Sequence, residues 1–253
     1  MLSRRLVVCL DVIGDRVVKG IAFESLRDIG DPARLAAWYE SEGADEIVFL
    51  DIGASAENRG TLLKVVRRTA ERLFIPLTVG GGIRSVDDVA RTLRAGADKV
   101  SINSAAVARP PLLAEAAARF GSQCVVASID ARREGAGWRV FTHGGRLRTP
   151  LDAVTWAVQC VEEGAGEILL TSIDRDGKQS GYDLELTRAV SEAVQVPVIA
   201  SGGAGSPSDV VDVIRSGGAD AALVAGIVHN AQFSVGQLKE FMGEAGIRIR
   251  TAA

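Results

Sequence analysis

Short apolar runs alternate along the chain with longer segments of helical periodicity. Nearly every run is apolar throughout, which is typical of strands buried on both faces of a parallel sheet. The predicted strands are Leu6–Val12, Glu46–Ile52, Ile75–Val79, Lys99–Ile102, Cys124–Ile129, Glu167–Ser172, Val196–Ala200 and Ala221–Val224. This alternation predicts an α/β fold in which helices cover a parallel sheet.

Capping side chains mark the starts of several predicted helices. Asp31, Ser85 and Ser206 each precede a helical pattern, and Pro32 and Pro207 take the first helical position after two of them. Such side-chain oxygens accept hydrogen bonds from the first free N–H groups of a helix. No Pro/Ser-rich linker interrupts the series, so we predict a single domain over residues 1–253.

The sequence repeats itself at an interval of about 121 residues, which indicates two related halves. Residues 43–52 resemble residues 164–173, residues 75–83 resemble residues 196–204, and residues 96–98 resemble residues 218–220. Each half, approximately 1–121 and 122–253, holds four strand–helix units. Two such halves predict a closed (β/α)8 TIM barrel, because an open doubly wound sheet gives no reason for the symmetry.

Composition and charge narrow the class of partner. The chain has 253 residues, of which 47% are hydrophobic, and its net charge is −3 without any block of Lys or Arg. This balance argues against a nucleic-acid or anionic-membrane partner. The apolar runs are too short for a signal peptide or a membrane span, so a cytoplasmic location is expected.

The cysteines and histidines predict no metal site and no cofactor. Cys9, Cys124 and Cys160 are too scattered for a disulfide framework or a metal cluster, and the first two are expected to be small core residues of strands. His143 and His229 stand singly, without the spacing of a metal site or a catalytic triad.

Asp11 and Asp130 are the candidate catalytic residues. They end the first and fifth predicted strands and occupy equivalent positions in the two halves. Barrel active sites lie at the carboxyl ends of the strands, so these side chains are expected to face each other across the mouth. An acid and a base on opposite sides of a substrate suit ring opening, ring closure or enolisation. The sequence leaves open which carboxyl is the acid.

Glycine-rich loops follow the third and seventh predicted strands, at residues 80–82 and 202–203. Glycine allows backbone N–H groups to approach a phosphate closely, although a tight turn would explain one such loop equally well. Two loops at equivalent places favour phosphate binding. The ends of the next strands, 103–104 and 225–226, complete two predicted phosphate sites, which a substrate phosphorylated at both ends would span.

Two further polar segments are candidates for substrate contact at the barrel mouth. Residues 172–177 follow the sixth strand and are polar enough to form a substrate loop. Lys19 in the first βα loop would either close over an anion or remain solvated.

Four charged residues begin predicted strands at the barrel floor, namely Arg5, Glu46, Lys99 and Glu167. Taken alone, they predict a structural salt-bridged plug.

Several strings make the chain resemble the cyclase subunits of imidazole glycerol phosphate synthases, and the resemblance covers essentially the whole length. The strings lie at residues 9–12, 16–20, 79–83, 97–101, 164–172, 174–177, 181–183 and 200–205. The resemblance implies conversion of a bisphosphorylated ribulosyl aminoimidazole carboxamide ribotide (PRFAR) and ammonia into imidazole glycerol phosphate and aminoimidazole carboxamide ribotide (AICAR), a step of histidine biosynthesis.

Residue roles follow from the same resemblance. It implies Asp11 and Asp130 as the acid–base pair and Lys19 as a substrate contact. The implied phosphate-binding and substrate-binding residues are Gly82, Asn103, Ser104, Thr171, Asp176, Gly177, Gly203, Ala225 and Gly226. A glutaminase subunit docked on the barrel floor would supply ammonia, with Arg5, Glu46, Lys99 and Glu167 as the gate and Asp98 as a partner contact.

Two departures from the family pattern are expected to matter. Gly226 stands where a serine is common, so the second phosphate site lacks one hydroxyl donor. Asp15 stands where glycine usually precedes Arg16, which predicts a strained backbone with positive φ. Two alternatives stay open: the isomerase of the preceding pathway step, which needs no ammonia gate, and a non-catalytic phosphate-binding barrel.

Overall fold

The computed structural model describes residues 3–21, 24–54 and 60–250, with the backbone alone at 19–21 and 24–27. The strands are β1 (Arg5–Ile13), β2 (Arg16–Ile21), β3 (Glu24–Gly30), β4 (Glu46–Asp51), β5 (Leu77–Gly80), β6 (Lys99–Ile102), β7 (Val125–Glu134), β8 (Gly137–Thr142), β9 (Leu147–Asp152), β10 (Glu167–Ser172), β11 (Val198–Ser201) and β12 (Ala221–Val224). The helices are α1 (Pro32–Ser41), α2 (Leu63–Ala70), α3 (Val86–Arg94), α4 (Ser104–Ala108), α5 (Pro111–Phe120), α6 (Ala153–Glu162), α7 (Leu184–Ala193), α8 (Pro207–Arg215), α9 (Gly226–His229) and α10 (Val235–Glu244).

Eight parallel strands close into a barrel. Their order is β1, β4, β5, β6, β7, β10, β11, β12 and back to β1, with every neighbouring pair parallel. These are the eight predicted strands, shifted by a few residues at some ends, so the (β/α)8 TIM barrel is confirmed. The described capping residues behave as expected too: Asp31, Ser85 and Ser206 each accept the N–H three residues ahead.

Two antiparallel excursions leave the top of the barrel, and neither was predicted from the sequence. Strands β2 and β3 follow β1, and β8 and β9 follow β7 at the equivalent place in the second half. The prediction of a plain loop around Lys19 was therefore wrong. These strands carry many polar and charged residues, so they lack the continuous apolar signal of the barrel strands.

Two smaller predictions were also wrong. The residue with positive φ in the first turn is Gly14 (φ 61°), and Asp15 is not among the described non-glycine residues with positive φ. The glycine has moved by one position, so Asp15 carries no strain of that kind. Cys124 lies half-buried in a single 3-10 turn before β7, whereas Cys9 is buried in β1 as expected.

The barrel interior is layered because successive residues of a strand face alternately inward and outward. Along β1 the inward positions are Arg5, Val7, Cys9 and Asp11, with charged residues at both ends and an apolar pair between. The apolar layer of the interior comprises Val7, Cys9, Val48, Val126, Leu169, Ile199, Ala221 and Leu223. A charged floor and a polar mouth are thus separated by a hydrophobic middle.

Aspartate side chains accept backbone hydrogen bonds at three equivalent positions at the bottom of the barrel. Asp45, Asp98 and Asp220 accept backbone N–H groups of neighbouring strands at 2.8, 2.8 and 3.1 Å. The fourth equivalent position of the repeat is Gly166, where a Cβ would lie 2.3 Å from the carbonyl oxygen of Ser122. No helix in the described ranges is long and apolar enough to cross a membrane.

Candidate active site

The two candidate catalytic carboxyls lie on opposite walls of the barrel mouth. Three strands separate β1, which carries Asp11, from β7, which carries Asp130, in either direction round the barrel. Both side chains are half-buried near the carboxyl ends of their strands. The fold thus gives Asp11 and Asp130 the facing arrangement expected from the repeat.

Asp130 has a strongly perturbed proton affinity. The pKa of Asp130 is raised to about 7, chiefly by burial and further by the negative charge of Asp176. Asn103 opposes this shift, because its Nδ2 donates a 2.9 Å hydrogen bond to Asp130 Oδ2. Near neutral pH the carboxyl of Asp130 is therefore present in both protonated and ionised forms.

The charge of Asp176 provides a direct test of this cause. We expect Asp176→Asn to lower the pKa of Asp130 and Asn103→Ala to raise it, since the two substitutions remove opposing influences. A 13C NMR titration of the Asp130 carboxyl carbon measures both. Glu192→Gln, which removes one negative charge from the outer side of α7, is the matched control and should leave the pKa unchanged. Equal titration curves in all variants would refute this assignment.

A cavity of about 530 Å³ opens beside Asp130. Its wall includes Gly82, Asn103 and Ser104, so the structure brings the first predicted phosphate set together with Asp130. Asn103 Oδ1 is buried and accepts no hydrogen bond from the described residues. A substrate donor placed in the cavity would satisfy this oxygen.

The tip between β8 and β9 also reaches the cavity, which sequence reasoning missed. His143, Gly144 and Arg146 line the wall, and the His143 N–H donates a 2.9 Å hydrogen bond to Ser104 Oγ. Arg84, after β5, lines it as well. The adjacent glycines at 144 and 145 were the one available sequence signal for a special turn.

The residues predicted for the second phosphate site lie on neighbouring strands and loops. Thr171 pairs in register with Asp130 on one side and with Ser201 on the other. The loop after β10, which holds Asp176 and Gly177, is bonded to Gly203 through the N–H of residue 181 at 2.9 Å. The same loop reaches the segment after α9, because the side chains of residues 179 and 232 share a 2.8 Å hydrogen bond.

The two predicted sites share an unusual backbone. Asn103 and Ala225 each precede a short helix, with φ and ψ of −114° and −91° in the first and −139° and −75° in the second. Gly226 begins the helix after Ala225, as Ser104 does after Asn103. The strand ends therefore repeat in geometry, while the side chains furnish a hydroxyl only in the first.

Gly81 is confined by the end of the neighbouring strand. Its φ is 91°, and a Cβ would lie 2.2 Å from the carbonyl oxygen of Asp51. We expect Gly81→Ala to lower the free energy of unfolding by at least about 2 kcal/mol, because contact and backbone strain add. Gly14→Ala is the matched control, since Gly14 has φ 61° with nothing within 4 Å. Urea unfolding compares them, and similar losses would contradict the contact argument.

Lys19 falls in β2, but its side chain lies outside the described residues, so its substrate contact stays a prediction.

The two histidines do not stand alone. His143 sits at the cavity, and His229 joins three elements: its Nδ1 is 2.6 Å from the hydroxyl of Tyr39, and its Nε2 is 2.9 Å from the carbonyl oxygen of Cys9. The carbonyl requires a proton on Nε2, which leaves Nδ1 to accept from the tyrosine.

The floor residues form a closed ring of ion pairs. Glu46 and Glu167 are almost fully buried, and each contacts both cations. Lys99 Nζ lies 2.9 Å from Glu46 and 2.7 Å from Glu167, and Arg5 lies 2.7 Å from Glu46. Burial alone would lower the pKa of Arg5, but the two glutamates outweigh it and raise that pKa.

Asp98 lies at the same end of the barrel. Although one carboxylate oxygen accepts the N–H of Leu77, the residue remains exposed. This position leaves it accessible from the floor side. Within the described ranges, no group of three or more His, Cys, Asp or Glu side chains converges in a way that could hold a metal ion.

Comparison with known proteins adds two findings. Residues 5–234 match the model of a family described as "Histidine biosynthesis protein". The chain is also 69% identical over 251 residues to the "Imidazole glycerol phosphate synthase subunit HisF" of Myxococcus xanthus, an alignment that covers 99% of each protein.

Proposed function

The chain belongs to the histidine biosynthesis protein family, and we propose that it is the cyclase subunit of imidazole glycerol phosphate synthase. In this reaction PRFAR and ammonia give imidazole glycerol phosphate and AICAR. The observation that carries the proposal is the pair of facing carboxyls, Asp11 and Asp130, between two repeated loop systems at the barrel mouth. The similarity over the whole chain to a protein named as a subunit of this synthase supports the same reaction.

Proton transfer is the task of the two aspartates. When ammonia becomes part of an imidazole ring, its nitrogen must lose protons, and the departing oxygen and nitrogen groups must gain them. Asp130 is suited to donate, because a pKa of about 7 keeps a protonated fraction at neutral pH. Asp11, on the opposite wall, then serves as the base that accepts a proton from the ammonia nitrogen.

Two phosphates would hold the substrate across these carboxyls. Gly82, Asn103 and Ser104 bind one phosphate beside the cavity. The other contacts Asp176, Gly177, Gly203, Ala225 and Gly226, and Thr171 lies beside Asp130 on the neighbouring strand. Fixing both ends of a long flexible substrate restricts its motion and places its central atoms over the acid–base pair.

Ammonia would enter from the floor of the barrel. A glutaminase subunit that docks there would release ammonia beneath the ring of Arg5, Glu46, Lys99 and Glu167, with Asp98 as a contact at the rim. Above the ring lies the apolar interior layer, which suits passage of a small uncharged molecule and disfavours its protonation. The relative in M. xanthus is named as a subunit, which implies a complex with a second chain.

The related isomerase is the second candidate, because the description of the family model does not name one step. An isomerase moves protons within one substrate and has no need of a gate for ammonia. The buried ring of charges on the floor and the 69% identity to a synthase subunit favour the cyclase.

An ammonium-dependent assay tests the cyclase directly. Supplying PRFAR with an ammonium salt should cause a loss of its absorbance that depends on both reactants. Absence of turnover would contradict the proposal, and phosphate binding unchanged by Asp11→Asn would favour a non-catalytic barrel instead.

Size-exclusion chromatography tests the docking proposal separately. The chain and a cognate glutaminase subunit should give a one-to-one complex, and consistent failure to co-elute would contradict docking.

A further inference from the structure

We propose that Arg146, at the tip between β8 and β9, binds a substrate phosphate in the cavity beside Asp130. This assignment rests on the proposed cyclase function for the identity of the substrate. It adds a cation from outside the repeated strand–helix pattern to the first phosphate site.

The first phosphate site needs a positive charge. Gly82, Asn103 and Ser104 are neutral, while Asp51 and Asp130 add carboxyl groups to the same cavity wall. A phosphate dianion placed there would be repelled by these acids unless a cation compensated for them. The cationic side chains on the described wall are the guanidinium groups of Arg84 and Arg146.

Arg146 differs from neighbouring arginines whose side chains already have partners among the described residues. Arg148 is held by Glu134 at 2.6 and 2.9 Å, Arg132 lies over the ring of Phe141, and Arg133 lies over that of Trp138. Arg146, in contrast, has no side-chain hydrogen bond or ion pair with any residue that the structure describes. Its exposed guanidinium therefore keeps its donors for a ligand, and its planar fork matches the oxygens of phosphate.

The backbone holds this side chain at the cavity. His143, Gly144 and Gly145 have successive positive φ values of 55°, 67° and 76°. A positive φ is uncommon for a residue other than glycine, and such backbone positions cluster at functional sites. The bond from the His143 N–H to Ser104 Oγ ties the turn to the phosphate site, and the Arg146 N–H closes the turn on the carbonyl oxygen of Thr142 at 3.1 Å.

Arg146→Gln tests the assignment, with Arg148→Gln as the matched control on the same excursion. Loss of a charge-assisted contact should raise both the KM for PRFAR and its Kd, measured calorimetrically without ammonium, by roughly ten- to a hundredfold. We expect kcat to change less than about twofold, because the lost contact is made equally in the ground and transition states. Arg146→Lys should restore part of the affinity, and Arg148→Gln should behave as wild type.

The calorimetric measurement separates failure of this inference from failure of the proposed function. If wild-type protein turns PRFAR over and Arg146→Gln has an unchanged KM and Kd, the role of Arg146 is refuted while the cyclase stands. If wild-type protein shows no turnover, the cyclase is refuted. The Kd for inorganic phosphate, measured for both variants, then tests whether Arg146 binds phosphate. Weaker phosphate binding in Arg146→Gln alone supports its role, and equal binding in both variants overturns it.

Discussion

Asp130→Asn is expected to lower kcat of the ammonium-dependent reaction by roughly 10²- to 10⁴-fold, the usual contribution of a positioned acid or base. The amide has nearly the same shape as the carboxyl group, and its oxygen can still accept the hydrogen bond from Asn103. The amide has no acidic proton that it could transfer to a leaving group. Binding of PRFAR should therefore persist while turnover is lost.

The control for this substitution is Asp87→Asn, the same chemical change on the outer helix α3. Asp87 is largely exposed, and among the described residues its ion pair is a long one with Arg119, so kcat should stay within about twofold of wild type. Thermal unfolding of both variants verifies that each is folded. If Asp130→Asn kept more than a tenth of the wild-type kcat, Asp130 would not be the proton donor.

The pH dependence follows from the same group. Because the pKa of Asp130 is raised to about 7, its proton is present below that pH and lost above it. At a fixed concentration of uncharged ammonia, kcat/KM should therefore fall as the pH rises through about 7. This limb should be absent in Asp130→Asn. A limb that falls toward low pH instead would make Asp130 the base.

Lys99→Met is expected to lower the free energy of unfolding by about 3 kcal/mol or more, the usual result of removing one partner from a buried ion pair. Glu46 and Glu167 would be left in a buried floor with Arg5 as their remaining cationic partner. Methionine fills much of the space of the lysine stem, so the loss reports mainly on charge. Urea unfolding with linear extrapolation measures it.

An exposed pair of similar geometry provides the comparison for the floor. Arg109 and Glu115 lie 2.6 Å apart, with about half of each side chain exposed. Arg109→Met should cost less than about 1 kcal/mol, since solvent screens such pairs. If the two variants lost equal stability, the floor ring would not behave as a buried ion-pair network.

Much of the fold followed from apolar pattern and repetition. Continuous apolar runs identified the barrel strands because both of their faces are buried, and the repeat indicated closure. The excursions β2–β3 and β8–β9 escaped detection because they carry many charged positions, such as Arg16 in β2 and Arg148 in β9. Charged side chains suit strands that are exposed to solvent, and they also interrupt the continuous apolar pattern by which buried strands are recognised.

The sequence predicted the site residues that lie at equivalent positions of the two halves, and it did not predict those outside the repeat. Asp11 and Asp130 occupy equivalent strand ends, so symmetry distinguished them from ordinary loop aspartates. Arg146 and His143 lie on a tip whose position over Ser104 depends on the tertiary fold. Likewise the charge of Asp176 near Asp130 depends on how the loop after β10 folds back, which no local pattern encodes.

Incorporation of nitrogen from ammonia is the most direct measurement of the proposed function. Wild-type protein would be incubated with PRFAR and 15N-labelled ammonium chloride, and the products followed by 15N NMR and mass spectrometry. We predict one labelled nitrogen in the imidazole ring of imidazole glycerol phosphate, formed together with an equal amount of unlabelled AICAR. Conversion of the substrate without label in any product, or recovery of PRFAR unchanged, would contradict the cyclase.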